Sequence, residues 1–467
     1  MRSNVNDMTV GSPTRAILVF ALPLVLGYLL QQMYQVIDAA IVGQLIGVGA
    51  LGAVGASSSV MFLVMGFCCG TCQGFAIPVA QAYGSRDMHR LQLYVKGGMR
   101  LSMAIAATMT VATCLLCRWI LRLINTPETI IDDAATYLYL QFLLIPVAMA
   151  YNLLASYMRA LGNSRQPFYF LIVSSVVNIA LDLVFIALLH WGVAGAGLAT
   201  IMAQVIAALL CWRFIWRHMP EIRSGMEDCL SRSEKGLTGP ENRLSPSFYR
   251  RIDGRLYRHL LLNGLPMGLQ FSITAIGSIM LQASNNALGP QYVAAFTASM
   301  RVKYLFTCVF ENIGVAMATY CGQNIGAMKV IRIKQGIRAA LLITMVYFLF
   351  TLAVIFPLAD EMMLFFVDAS ETLILAESAR FMRICNLFYP VLGLLTVLRY
   401  SIQGLGRADL SMLSGVMEML ARTGVSLLLV PALGFTGVIL GDPTAWLAAD
   451  LFLVPCYLMI YRKISQL

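Results

Sequence analysis

Charge is scarce in this chain. Asp, Glu, Lys and Arg make up 12% of its 467 residues, against 59% hydrophobic, and the mean hydropathy is +0.76. A soluble fold cannot bury that much apolar surface, so the chain reads as a polytopic membrane protein. Histidine is also scarce: His89, His190, His218 and His259 form no ligand pair. With no Cys–His metal spacing and no Gly-rich phosphate loop after a strand, the sequence does not read as an enzyme, and no cofactor is expected. The first eighteen residues are polar and mixed, unlike a cleavable leader, and the apolar segment after them is too long for one. Acidic residues are outnumbered 23 to 33 by Lys and Arg. That excess does not point to nucleic acid, because it concentrates in short loops between apolar spans, the positive-inside pattern. Eleven cysteines are scattered; Cys68, Cys69 and Cys72 cluster without a histidine and read as free packing thiols.

What the chain does have is long uncharged runs. Asp182 is the only formal charge between Gln166 and Trp212, and there is none from Ala39 to Ser85 or from Leu260 to Met300. A bilayer core needs about 20 helical residues to cross, so Gln166–Trp212 holds two spans that turn near His190-Trp191-Gly192. A carboxylate in mid-membrane costs about 2.5–3.5 kcal/mol on insertion scales, so Asp182 is expected to face protein, water or an ion. Asn178 precedes it by one helical turn on the same face. An amide oxygen beside a carboxylate suits a proton, Na⁺ or an organic cation.

The same reading along the chain gives an all-α protein of twelve transmembrane helices. Span 1 contains Pro23, Gln31 and Asp38, and Pro23 is expected to bend it. The loops after spans 2, 4, 6 and 8 and the C-terminal tail are basic, which places both termini in the cytoplasm of a cell whose plasma membrane the chain crosses. The one long polar stretch, residues 213–258, reads as a cytoplasmic linker. It separates an N-terminal six-helix bundle, 1–212, from a C-terminal one, 259–467. The two halves repeat at a nearly constant offset: Ala21-Leu-Pro23 resembles Gly264-Leu-Pro266, Gln81-Ala-Tyr-Gly84 resembles Gln323-Asn-Ile-Gly326, and Ala160-Leu-Gly162 resembles Gly404-Leu-Gly406. Six spans per copy make the repeats parallel, and such transporters hold substrate near the midplane. The copies differ chemically. Asp38 corresponds to Leu281, and the second half carries Glu311, Arg399, Asp450 and a Glu418–Arg422 pair one turn apart, most simply a structural ion pair.

Several stretches resemble the multidrug and toxic compound extrusion (MATE) family of cation-coupled antiporters. They are Ala21-Leu-Pro23 with Val36-Ile-Asp38, Tyr157-Met-Arg-Ala-Leu-Gly-Asn-Ser-Arg-Gln-Pro167, Asn178-Ile-Ala-Leu-Asp182 with Gly195-Ala-Gly197 and Thr200, and Gly322-Gln-Asn-Ile-Gly-Ala327. The resemblance implies two six-helix bundles in a V shape and export of organic, often cationic, drugs in exchange for H⁺ or Na⁺. It implies a cation-coupling site at Asp38, Asn178, Asp182 and Thr200, where Na⁺ is the one metal ion expected. It also implies a substrate cavity with Tyr137, Asn152 and Gln31, and a hinge at Pro23. The bilayer and small organic cations are the expected partners, and the working unit is expected to be a monomer. Alternative readings are a lipid-linked precursor flippase of the MATE-like superfamily or another secondary transporter with 6+6 spans. The acidic residues that some branches carry in spans 7 and 10 are missing: span 7 offers Gln270 and Thr274, and span 10 is apolar around Leu392.

Overall fold

A computed structural model describes residues 7–45, 48–123, 131–230, 246–464 and 466. Side chains at 35, 36, 38–59, 123, 133, 187, 193, 228, 230 and 246–253 also lie outside the description. Among the described residues the chain is helical, with no strand. Among the described residues, ten helices are long and apolar enough to cross a membrane. Two further spans are bent pairs, residues 134–160 with a 47° bend and 372–404 with a 53° bend, which brings the number to the twelve expected.

Packing divides the chain into two compact units. The first, Leu22–Gly268, holds α2 (Val48–Gly84), α3 (Met88–Leu123), α4 (Ile131–Leu143), α5 (Ile145–Ala160), α6 (Arg165–Asp182), α7 (Gly192–His218) and α8 (Pro220–Leu230). It also takes most of α1 (Pro13–Leu45) and the first part of α9 (Pro246–Asn286). The second, Met8–Ala21 and Leu269–Leu467, holds α10 (Pro290–Gly326), α11 (Val330–Met363), α12 (Thr372–Leu387), α13 (Tyr389–Gly404), α14 (Ala408–Gly424), α15 (Val430–Leu433) and α16 (Phe435–Ile464).

Thus α1 and α9 each change unit close to a proline, Pro23 or Pro266, the pair matched by the repeat. Side-chain chemistry explains the exchange. Asn324, Lys329 and Arg332 donate to the carbonyls of Met8, Thr9 and Gly11, while Gln323 Oε1 accepts from the Met8 N–H at 3.0 Å. In the other unit Gly264 and Gly268 let α9 close on Phe75 and Thr71, where any Cβ would collide at 2.3–2.4 Å. The polar linker contributes to the packing: α8 buries Ile222 and Met226, and Gly225 sits against the Gln92 backbone of α3.

The repeat is visible in the irregularities as much as in the helices. Both bent pairs break two residues before a proline, Pro146 or Pro390. A proline cannot donate to the carbonyl four residues back. In the first unit that carbonyl, Phe142 O, instead accepts from Thr110 Oγ1 at 3.3 Å. Both units also contain a π-helical segment at matching positions, Leu183–Leu188 and Val425–Leu429. A glycine of the next long helix packs on each: Gly195 against Phe185, Gly437 against the Leu429 backbone.

Candidate functional site

Helix α6 is amphipathic in the membrane sense, with its polar side turned inward. Its buried residues are Pro167, Ser174, Ser175, Asn178 and Asp182, while Tyr169, Val173 and Val176 are exposed. The four polar residues follow the 3.6-residue period and form one stripe. Lipid cannot hydrogen-bond to polar groups, so such a stripe is stable only against protein, water or a bound ion. Asn178 is 3% exposed and Asp182 0%. Directly after Asp182 the backbone enters the π-helical segment. Single π turns shift helix register and recur at functional sites.

The stripe faces α7. Ser174 Oγ donates to Ala203 O on that helix at 2.9 Å. Gly195 and Gly197 let α7 approach Phe185 and Leu140, the latter on α4. Neither the amide of Asn178 nor the Ser175 hydroxyl has a hydrogen-bond partner among the described residues, and the same is true of Gln204 Oε1 on α7. Leaving such groups unpaired costs about 1–3 kcal/mol each. The set supplies neutral oxygen donors next to a carboxylate, which is the donor chemistry for a proton or a hard monovalent cation. No group of three or more His, Cys, Asp or Glu residues fit to hold a metal ion occurs among the described residues.

The other sequence-predicted residues are distributed over neighbouring elements of the first unit. Thr200 is half-buried on α7, and its hydroxyl donates to Ala196 O at 3.1 Å, which leaves its lone pairs available. Tyr137 on α4 and Asn152 on α5 are half-buried, and both helices pack against α7. The Asn152 amide donates to Ala148 O at 2.8 Å. Pro23 and Gln31 lie in the part of α1 that belongs to this unit, and the helix runs on through Pro23. Asp38 is also in α1, but its side chain is outside the described residues. Ser174, Ser175 and Gln204 were not singled out from sequence. Ser174 lies one turn before Asn178, so helical spacing back from Asn178 could have found it.

The second unit answers the same buried position with ions. In α14 the buried face carries Ser411, Ser414, Glu418 and Arg422. Lys303 pairs with Asp442, Arg422 with both Asp442 (3.0 Å) and Glu418 (3.3 Å), and Glu418 with Arg399. The result is an alternating chain, Lys303–Asp442–Arg422–Glu418–Arg399, drawn from α10, α16, α14 and α13. The expected Glu418–Arg422 ion pair is present as its third link. Arg399 also donates to Ser414 Oγ at 3.1 Å. Glu311, without an evident partner in the sequence, accepts from Tyr400 OH at 3.1 Å. Asp442 had no signal in the sequence, since nothing local shows that α16 brings it to Lys303 and Arg422.

Comparison with known proteins gives one consistent picture. A family model, MatE, matches twice, over residues 23–184 and 266–428, one copy in each half. The "Probable multidrug resistance protein YpnP" of Bacillus subtilis (strain 168) is 30% identical over 321 residues, 68% of this chain and 67% of that protein. The "Probable multidrug resistance protein YoeA" of the same organism is 25% identical across 96% of this chain and 94% of its own length. Among solved structures, "Outward-facing conformation of a multidrug resistance MATE family transporter of the MOP superfamily" superposes with a TM-score of 0.86 at 21% identity, covering 99% of both chains.

Proposed function

Since the chain belongs to the MatE family, it is a multi-pass membrane transporter and not an enzyme, and we propose that it exports organic, often cationic, compounds in exchange for H⁺ or Na⁺. The observation that carries this reading is the α6 stripe. A fully buried Asp182 sits one turn from an Asn178 amide with no hydrogen-bond partner among the described residues. A purely structural polar contact between helices would use its hydrogen-bonding groups. A site that binds and releases an ion keeps some of them unused between visits. The names of the relatives, multidrug resistance proteins, support drugs as the cargo.

In this mechanism Asp38 and Asp182 are the carboxylates of the coupling site, with Asn178 and Thr200 as neutral ligands. A proton or Na⁺ arriving from outside neutralises the site, and α1 bends at Pro23, where the missing N–H makes the helix easiest to deform. Tyr137, Asn152 and Gln31 contact the cargo. Loss of the ion to the cytoplasm restores negative charge, which favours loading of a cationic drug. The basic loops orient both termini to the cytoplasm of the plasma membrane. The protein works as a monomer, with residues 1–212 and 259–467 as its two bundles and 213–258 joining them. Efflux from vesicles, with pH and Na⁺ gradients imposed separately, tests the reading. Export driven by one gradient and absent in Asp182→Asn supports it. Unchanged efflux in both Asp38→Asn and Asp182→Asn overturns the coupling site.

A further inference from the structure

We infer that the entry of α9 binds an anionic glycerophospholipid, with the headgroup phosphate on Arg255 and Arg258 and an acyl chain laid in the groove that runs down to Pro266. The groove has a volume of about 480 Å³ and is formed by one face of α9, from Gly254 and Tyr257 past Arg258 to Leu265 and Pro266. The opposite face fastens the helix to its unit: Leu256 and Leu260 close on Gly97 of α3, and Gly264 on Phe75. The groove therefore opens away from the core. A Cβ on Gly254 would meet nothing within 4 Å, so its upper end is clear. Pro266 follows Arg258 by a helical rise of about 12 Å. One leaflet of a hydrocarbon core of about 30 Å is only a little deeper. Positive charge at the top and an apolar floor as long as a leaflet suit a lipid. The floor gives a free phosphate nothing to bind.

Charge decides which lipid. The stretch Arg250–Arg258 holds four Arg against one Asp. Several other exposed arginines are neutralised locally: Arg90 pairs with Asp87 at 3.1 Å, Arg223 with Glu227 at 2.8 Å and Arg407 with Asp409 at 2.9 Å. Arg255 and Arg258 are exposed and have no ion-pair partner among the described residues. Arginines without a counter-ion at the start of a span draw anionic headgroups, and Tyr257 between them is a residue suited to headgroup depth.

The repeat supplies an independent observation. Five positions that build the groove recur on α1 at a constant offset: Gly11, Arg15, Leu18, Leu22 and Pro23 match Gly254, Arg258, Leu261, Leu265 and Pro266. Orientation recurs with them. Ile17, Phe20 and Ala21 are buried on α1, as Leu260, Asn263 and Gly264 are on α9. Arg15, Leu18 and Leu22 are exposed, and Arg15 too has no ion-pair partner among the described residues. Packing between helices explains the recurrence of the buried positions but not of the outward ones. An outward Gly, Arg and Leu series in both copies points to a ligand on that face. Each face ends close to where its helix passes from one unit to the other, so a lipid held there lies along the approach to the bend.

This inference goes beyond the export reading, and its test needs no transport, so failure of one leaves the other standing. The full-length protein in detergent is mixed with equal amounts of dioleoyl phosphatidylglycerol and dioleoyl phosphatidylcholine, and retained lipid is counted by native mass spectrometry. Phosphatidylglycerol should be preferred by about tenfold, the order that two arginines at a charged surface supply. Arg258→Gln and Arg15→Gln should each lower the preference. Combining both with Arg255→Gln should bring it within about twofold. Arg90→Gln, outside the groove, should leave it unchanged, and excess glycerol 3-phosphate should not displace the lipid. Thermal unfolding identifies any variant that fails to fold. Arg258→Lys, which keeps the charge, should then retain most of the preference. Equal retention of the two lipids by the unsubstituted protein, full preference in the triple variant, an equal loss with Arg90→Gln, or displacement by glycerol 3-phosphate would overturn the proposal.

Discussion

Helices α6 and α14 occupy matching places in the repeat and handle buried polarity in opposite ways. In α6 the polar stripe Ser174, Ser175, Asn178, Asp182 leaves the Ser175 hydroxyl and the Asn178 amide without a hydrogen-bond partner among the described residues. In α14 the stripe Ser411, Ser414, Glu418, Arg422 is tied into a chain of ion pairs that reaches three other helices. One fold thus carries an under-satisfied site and an over-connected one. The lesson is that the repeat preserves where the backbone bends and where polar groups are buried, while the chemistry at those places is free to diverge.

The largest expected effect breaks the connected side. Asp442→Asn strands Lys303 and Arg422 without their shared carboxylate, and removing one partner of a buried ion pair costs about 3–5 kcal/mol. The variant should lose most of its folded yield, checked by thermal unfolding in detergent. Asp182→Asn is expected to leave thermal stability unchanged or raised, because it removes the charge of a buried carboxyl while keeping its shape. Equal destabilisation by the two would erase the contrast between the units.

Next in size is the transport effect of the same Asp182→Asn protein. Gradient-driven efflux should fall at least tenfold, equivalent to about 1.4 kcal/mol or more, while the protein remains in the membrane. Asn178→Ala should weaken the coupling ion by a similar order, since a hydrogen-bonding group facing a charge contributes about 1.5–3 kcal/mol. The shift would appear as a higher ion concentration for half-maximal efflux.

A smaller effect separates the two π-helical segments. A Cβ on Gly437 would meet the Leu429 backbone at 2.7 Å, whereas one on Gly195 would meet the Phe185 Cβ at 3.1 Å. Gly437→Ala should therefore cost about 1–3 kcal/mol, and Gly195→Ala toward the lower end of that range, compared by unfolding midpoints. The smallest change is expected from Thr200→Ala. Its hydroxyl already donates to Ala196 O, so it can offer a bound ion only a neutral lone pair, and ion affinity should drop a few-fold.

Much of this was legible beforehand because hydrocarbon imposes a simple code. Uncharged runs of about 20 residues are spans, and Asp182 stood out by being alone in one. Pro23 and Pro266 marked the repeat, and the structure changes units beside both. Other features were not legible. The 47° and 53° bends fall inside stretches that read as single straight spans, because a proline near mid-span tells that a helix is weakened but not how far it turns. The linker's α8 was hidden by its mixed composition, since an apolar face of Ile222 and Met226 is too short to stand out.

The sequence by itself determined the membrane spans and the α6 face on which Asn178 and Asp182 fall, because each depends on composition or on helical spacing within one segment; the duplication and the family resemblance were carried by motifs that recur along the chain. Only the tertiary structure decided that Asp442 joins Lys303 to Arg422, that Glu311 is held by Tyr400, and that Asp450 is buried with its oxygens unpaired among the described residues. Lys303 and Asp442 lie 139 residues apart in the chain. Which charges meet depends on the rotation and packing of whole helices, and local sequence fixes neither.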